Sequence, residues 1–359
     1  RLIEANHFDE LRQLFTWLNE RPPDESAARP RRRRQTLVFS ATLTFVHRGA
    51  LCAGIGSKGR KRGYSNRDKL TKEMKLDNLK QLIGLRANAK VFDLSSEEAV
   101  HGAPTIASLI PSNLREYRLL CPDQASKDVR LFWFLAFGRY TSGDAIPSGD
   151  NQRVLIFLNS KAGVRRLCGL MRQLVAACAF AVSGKAGSVH VNVLHADMLQ
   201  KQRFRSLERF QAETDGILIA SDVAARGLDL CTTNENTASG VAWVVHFDVP
   251  RTAELYIHRS GRTARAHRTG TSVLLVNPGE ITLWARLAAS LKRQDAELPD
   301  FPVEPSHFEH MACERIVSMA SELDVAEHSA SRRLANESWM SQAARDADIE
   351  LDSDLEPSD

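Results

Sequence analysis

The chain predicts an α/β protein whose main body is a doubly wound parallel sheet. Two patterns and one bound carry that expectation. From Val154 onward, short β-branched runs alternate with helical periods. The runs are continuously apolar, as strands buried on both faces are, and crossover helices at this spacing join parallel neighbours. With 359 residues, 43% hydrophobic and 26% charged, there is chain enough for two cores.

The elements follow in order. A helix over Phe8–Asn19, a strand over Thr36–Ser40, a helix over Lys75–Ile83 and a strand over Lys90–Leu94 make half a sheet, assigned to residues 1–97. Gly102, Pro104 and Pro111 punctuate the stretch Ser95–Ser112, so residues 98–112 read as a linker. The complete domain, residues 113–292, then begins with a strand over Leu114–Cys121. It continues through the strand Val154–Leu158, a helix over Ala162–Ala177, the strand Val191–Leu194 and a helix over Gln200–Ala212, with Phe204, Leu207 and Phe210 as its buried stripe. Strands at Gly216–Ala220, Trp243–Phe247 and Thr271–Val276 follow, then a helix over Ile281–Lys292. Residues 293–359 turn helical and polar and end in acidic residues that read as disordered.

Composition excludes several classes. Six cysteines without a C-x-x-C pair or nearby histidines give neither a zinc site nor a disulfide framework, and fit a reducing compartment. The longest apolar runs, Leu131–Phe137 and Leu174–Val182, are core-sized and short of a membrane span, so the chain reads as soluble. Arg1-Leu2-Ile3-Glu4 has neither an initiator methionine nor a signal-peptide plan, and reads as the interior of a longer chain. The net charge of +4 is compatible with a nucleic-acid partner, and its uneven placement says more: basic at Arg31–Arg34 and Lys58–Arg62, acidic from Asp346 to Asp359.

Four stretches carry candidate chemistry. In His258-Arg259-Ser260-Gly261-Arg262-Thr263-Ala264-Arg265, continued helicity would put His258, Arg262 and Arg265 on one face, a paired guanidinium arrangement suited to a phosphoryl group; the bland reading is a solvated cationic face. Ser221 to Asp229 follows an apolar strand and so lies at the carboxyl edge of the sheet, where ligands bind in open α/β folds. There Gly227 permits close backbone approach and Asp229 could accept from a ribose hydroxyl, although alone it reads better as a cap. Gln200 and Arg203, three apart on a helix, could hold a phosphodiester backbone. Asn159 and Ser160 end a strand and either cap the next helix or donate to a phosphate there.

Together these segments resemble the C-terminal motifs of the DEAD-box RNA helicases. Ser40-Ala41-Thr42 looks like the Ser-Ala-Thr motif, Leu155–Ser160 motif IV, Gln200 and Arg203 the Q-x-x-R motif, Ser221–Asp229 motif V, and His258–Arg265 motif VI. The resemblance spans roughly residues 1–292, and the ordered set is far more specific than any member. It implies two RecA-like domains: one nearly complete, preceded by the C-terminal part of another.

The resemblance further implies ATP and magnesium as cofactors and RNA as partner, held without base preference by Gln200, Arg203, Ser221, Asn159 and Ser160. Arg262 and Arg265 become arginine fingers on the γ-phosphate, with Asp229 and Gly227 at the nucleotide. His258 couples to Ser40 and Thr42. Neither the Gly-rich phosphate loop nor the Asp-Glu-Ala-Asp motif occurs in these residues, so no metal ligand is expected here and the chain alone should not hydrolyse ATP. Ala264 stands where motif VI usually has glycine, which reads as a small steric change, and Ser221 where motif V more often has threonine.

The basic stretch after Ser40, the phrase Pro250–Ala266 and the distal Ser338-Trp339 resemble the nucleolar subgroup serving large ribosomal subunit assembly. That implies a nuclear, nucleolar monomer acting on pre-ribosomal RNA among assembly factors, with no membrane partner. A non-enzymatic RNA-binding module retaining only the second domain is the alternative, and a DNA translocase of the same superfamily is a third reading.

Overall fold

The computed structural model describes residues 110–147, 152–177, 189–222, 240–265, 268–291, 293 and 297–346, plus positions 13–14, 16–17, 35–39, 77, 80, 83, 85, 89–90 and 92 upstream. Two compact units divide the chain, Arg1–Ala103 and Pro104–Asp359.

In the first unit, Gln13, Leu14, Thr16 and Trp17 are helical, as are Asp77, Lys80 and Ile83, within the two helices expected there. The two expected strands are not found at their described positions. Residues 35–39, Lys90 and Phe92 belong to no strand, and Phe39 and Phe92 are 88% and 77% exposed. β-Propensity makes a strand only where a neighbour supplies a ladder, and no described residue pairs with these.

The second unit is built on a six-stranded sheet in the order β1-β6-β5-β2-β4-β3. The strands are β1 (Leu114–Leu120), β2 (Val154–Leu158), β3 (Val191–Leu194), β4 (Ile217–Ser221), β5 (Trp243–His246) and β6 (Gly270–Val276), every pairing parallel. The helices are α1 (Ser126–Trp133), α2 (Lys161–Ala177), α3 (Gln200–Ala212), α4 (Ala253–Ser260), α5 (Ile281–Ser290) and α6 (His307–Asp346). This is the doubly wound parallel sheet expected of the complete domain. β2, β4, β5 and β6 are buried along their whole length, which is why they read as unbroken apolar runs.

The strand period of two sorts their side chains into two cores. Val154, Ile156 and Leu158 of β2, with Ile217 and Ile219 of β4, join the layer formed by α1, α2 and α6. Leu155 and Phe157, with Leu218 and Ala220, join Leu207 and Phe210 of α3. Phe204 is not part of that stripe: it is 54% exposed, because the face centred on Leu207 and Phe210 leaves it at the margin.

α1 is an element that periodicity did not reveal. It is only eight residues long, and its apolar end runs on into a buried π-helical turn, Phe134–Gly138, so the period set by the half-buried Ser126, Asp128 and Arg130 is cut short. Phe301 packs edge-on to Tyr117 and Phe134 at 5.8 and 5.5 Å between centroids, pinning the segment after α5 to the first core.

α6 opens with a reciprocal cap, the Ser306 N–H donating to Glu309 at 2.8 Å and the Glu309 N–H to Ser306 Oγ at 3.3 Å. It seats Cys313, Val317 and Ala320 in the first core. Gly169 of α2 admits it closely: a Cβ there would stand 2.3 Å from Asp324 Oδ1. Among the described residues no helix is long and apolar enough to cross a membrane.

Candidate functional site

The carboxyl ends of β2, β4 and β5 lie side by side, with Leu158 in register with Ser221 and Phe157 with His246. The polar residues that follow these strands therefore gather on one edge. At the end of β2, Ser160 Oγ accepts the Gly163 N–H at 3.0 Å and caps α2. The Asn159 N–H donates to Asp248 Oδ2 at 2.8 Å and its Nδ2 to the Val249 carbonyl at 3.0 Å.

Arg259 ties the edge together. Its Nε and Nη2 donate to the two Asp222 oxygens at 2.6 and 2.8 Å, Nη2 also to Asn159 Oδ1 at 2.8 Å, and Nη1 to the Asp248 carbonyl at 3.0 Å. The guanidinium carbon sits 5.3 Å from the centre of the Phe157 ring. Four donated bonds and an aromatic ring beneath the guanidinium are what a buried arginine needs to hold its charge out of water. Beside it, the Ser221 hydroxyl is buried without a hydrogen-bond partner among the described residues.

His246 seats α4 on the sheet. Its Nε2 lies 3.1 Å from Ser260 Oγ and 3.0 Å from Ser272 Oγ, and its ring stacks on Tyr256 at 4.9 Å. Burial, with the Arg259 charge adding to it, holds the imidazole well below its ordinary pKa, so the ring is neutral. From the other side, the Tyr256 hydroxyl donates to Glu116 of β1, which also pairs with Arg293.

The expected continuous helical face through Arg265 does not form. α4 stops at Ser260, and the chain tightens through Arg262 N–H to Arg259 carbonyl (3.0 Å) and Thr263 N–H to Ser260 carbonyl (3.1 Å). Thr263 Oγ1 then donates into the Val241 and Ala242 carbonyls at 2.6 and 3.0 Å. Ala264 is left-handed, with φ of 56°. Its replacement of the customary glycine is therefore a backbone matter more than a steric one. The two arginines meet the turn by another route: Arg262 Nε donates to the His258 carbonyl at 3.3 Å and Arg265 Nε to the Gly261 carbonyl at 2.7 Å. His258 Nε2 stands 3.5 Å from Glu254 Oε1.

Gln200 is exposed on the first turn of α3 and Arg203 half-buried on the next. The loop before them is linked to the start of α2 by Asp197, which pairs with Lys161 at 2.6 Å and Arg165 at 2.8 Å. His195, in the same loop, is lowered in pKa first by burial and then by Arg165. Gly227, Asp229, Ser40 and Thr42 lie outside the described residues, and no described group of three or more His, Cys, Asp or Glu could hold a metal.

The edge thus offers fixed cations, a buried hydroxyl and helix termini, a set that binds and polarises anionic oxygens. Arg259, Asp222 and His246 were not singled out from sequence. Local sequence gives no signal for them, since Arg259 meets Asn159 and Asp222 only through the fold.

The model of the helicase conserved C-terminal domain matches residues 143–267. Across 355 residues the chain is 36% identical to the human ATP-dependent RNA helicase DDX24, covering 99% of this chain and 34% of that protein. It is 31% identical over 371 residues to the ATP-dependent RNA helicase mak5 of Neosartorya fischeri, covering 99% of this chain and 41% of that one. The chain thus spans between a third and about two fifths of these relatives' length. A solved structure of the C-terminal domain of the DEAD-box protein Dbp5 is similar at a TM-score of 0.40 and 21% identity, covering 58% of this chain and 98% of that one.

Proposed function

We propose that the chain, whose residues 143–267 match the helicase conserved C-terminal domain, belongs to the DEAD-box family of ATP-dependent RNA helicases and supplies the second RecA-like domain of an RNA-stimulated ATPase that opens short RNA duplexes. What supports this most is the convergence of Asn159, Asp222 and the Asp248 carbonyl on Arg259, which joins three separate segments into one edge.

In this reading Arg262 and Arg265 stabilise charge on the γ-phosphate. Both fit a polyphosphate: each is anchored through Nε to a carbonyl four residues back, which steadies the guanidinium. ATP, when bound, supplies the scissile phosphoanhydride; Asp229 is assigned to its ribose and Gly227 to close backbone approach. Gln200, Arg203, Ser221 and Ser160 hold the RNA sugar-phosphate backbone, while Asn159, its side chain engaged by Arg259 and Val249, holds the edge in shape. We assign magnesium no ligand in these residues. The resemblance to the nucleolar subgroup extends the proposal to a monomer acting on pre-ribosomal RNA with assembly factors.

The test is RNA-stimulated ATP hydrolysis by the full-length protein with Arg262→Ala or Arg265→Ala. Each should lower turnover by about 10³-fold, the usual worth of an arginine finger, while affinity for RNA without nucleotide stays unchanged. Near-normal turnover in both variants would sink the assignment. A wild-type protein that binds RNA and never hydrolyses ATP would make the non-enzymatic module the better reading.

A further inference from the structure

A cleft of about 610 Å³ opens between α6 and the start of α1. One wall is a single face of α6, where His310, Glu314, Val317, Ser321 and Val325 recur at the three- and four-residue spacing of a helix. The facing wall is Asp123, Ser126, Asp128 and Val129. The walls are firmly placed. α6 is seated through Cys313, Val317 and Ala320, and Asp128 is held by both Arg166 Nη groups at 2.8 and 2.9 Å.

The cleft has an apolar floor and an acidic rim. Val129 and Val317 are nearly buried at its base, while Val325 is 65% exposed. Asp123 is occupied in capping α1, its Oδ1 accepting from the Ser126 N–H and hydroxyl at 2.7 Å. Glu314 and Glu322, which also lines the cleft, have no hydrogen-bond or ion-pair partner among the described residues. The volume falls within the range of formed binding sites. With Asp128 offset by Arg166, three carboxylates around it still repel phosphate, so the rim that excludes a nucleic acid selects its opposite.

We propose that this cleft docks a basic segment of a partner protein, whose arginine or lysine side chains reach Glu314 and Glu322 while an apolar residue sits on Val129, Val317 and Val325. Eight residues of α6 separate the two glutamates, about 12 Å along the axis. About four residues of extended chain span that distance. The segment therefore carries basic residues four apart with an apolar one between them.

A fluorescein-labelled peptide, Gly-Arg-Ser-Leu-Ser-Arg-Gly, tests this by fluorescence anisotropy on the full chain, beside a counterpart with both arginines replaced by glutamate. Binding should be confined to the basic peptide and weaken as salt rises. Glu314→Lys with Glu322→Lys, both at exposed positions, should weaken it at least 10-fold with an unchanged melting temperature. Val325→Asp, also exposed, should weaken it several-fold. Equal binding by wild type and the double variant would assign the peptide to the acidic residues after Asp346 and overturn the proposal. So would equal binding of the glutamate peptide, or displacement of the basic peptide by a single-stranded RNA oligonucleotide at equal ionic strength.

Discussion

Arg259 and Asp222 form a two-bonded ion pair, 2.6 Å at Nε and 2.8 Å at Nη2, with the arginine 1% exposed. Removing one partner of such a pair strands the other. Arg259→Ala should cost about 3–5 kcal/mol in urea unfolding. Arg259→Lys should recover only part of that, since one ammonium cannot serve Asp222, Asn159 and the Asp248 carbonyl together. A loss below about 1 kcal/mol for the alanine variant, typical of an exposed pair, would show that the pair does not organise the edge.

Ala264→Gly should stabilise the protein. Relieving a left-handed alanine returns about 1–2 kcal/mol, and the freer unfolded chain takes back about 0.4–1. A net gain of about 0.5–1 kcal/mol is expected from these two terms. A destabilised variant in thermal unfolding would contradict the φ of 56°.

Gly270→Ala should do the reverse. A Cβ there would lie 2.1 Å from Thr263 Oγ1 and 2.5 Å from the Ala264 nitrogen, and the latter is backbone. Overpacking of this kind costs about 1–3 kcal/mol. The shift should register at Arg265, so, on the proposed arginine-finger role, RNA-stimulated turnover of the full-length protein should fall further than the unfolding loss predicts. Unchanged turnover and stability would refute the close approach.

Stability should decline in mild acid through His246. Burial keeps its folded pKa well below 6.5, so the unfolded chain takes up a proton that the folded one refuses. The contribution is complete above about pH 6.5 and is lost as pH falls below it, by up to about 1.4 kcal/mol per pH unit. In His246→Gln the slope of unfolding free energy between about pH 5 and 6.5 should drop by one proton. An identical slope would exclude His246 as the group responsible.

Cys121 should resist alkylation in the folded protein. Burial pushes its thiol up to about 11. At pH 8 its thiolate population is then roughly 200-fold below that of a free cysteine. Mass spectrometry after iodoacetamide treatment should find Cys121 modified only in urea. Modification at the unfolded rate without denaturant would overturn the assignment.

What was legible in the sequence follows burial. β2 and β4 sit between two cores and present nothing but apolar residues, so their existence and limits could be read directly. α1 carries a polar side, with Ser126, Asp128 and Arg130 half-buried, but it is eight residues long and its apolar end runs straight into a π turn, so too few turns show its period. Phe204 was misplaced because apolar character alone does not fix which side of a helix faces inward. Arg262 and Arg265 attracted notice through spacing, whereas Arg259 acts through residues 37 and 100 positions away. Local pattern cannot register such a meeting.

β1 has a consequence for how the chain reaches its fold. One side pairs with β6, from Leu114 with Gly270 onward, and the other receives Pro299 and Phe301, whose backbones bond to Arg118 at 2.9 Å. Both neighbours are synthesised long after β1 itself. The first strand of this sheet to leave the ribosome therefore waits, unpaired, for the last, and the sheet closes late and slowly through contacts of high sequence separation. Until then β1 is an open edge in want of a shield.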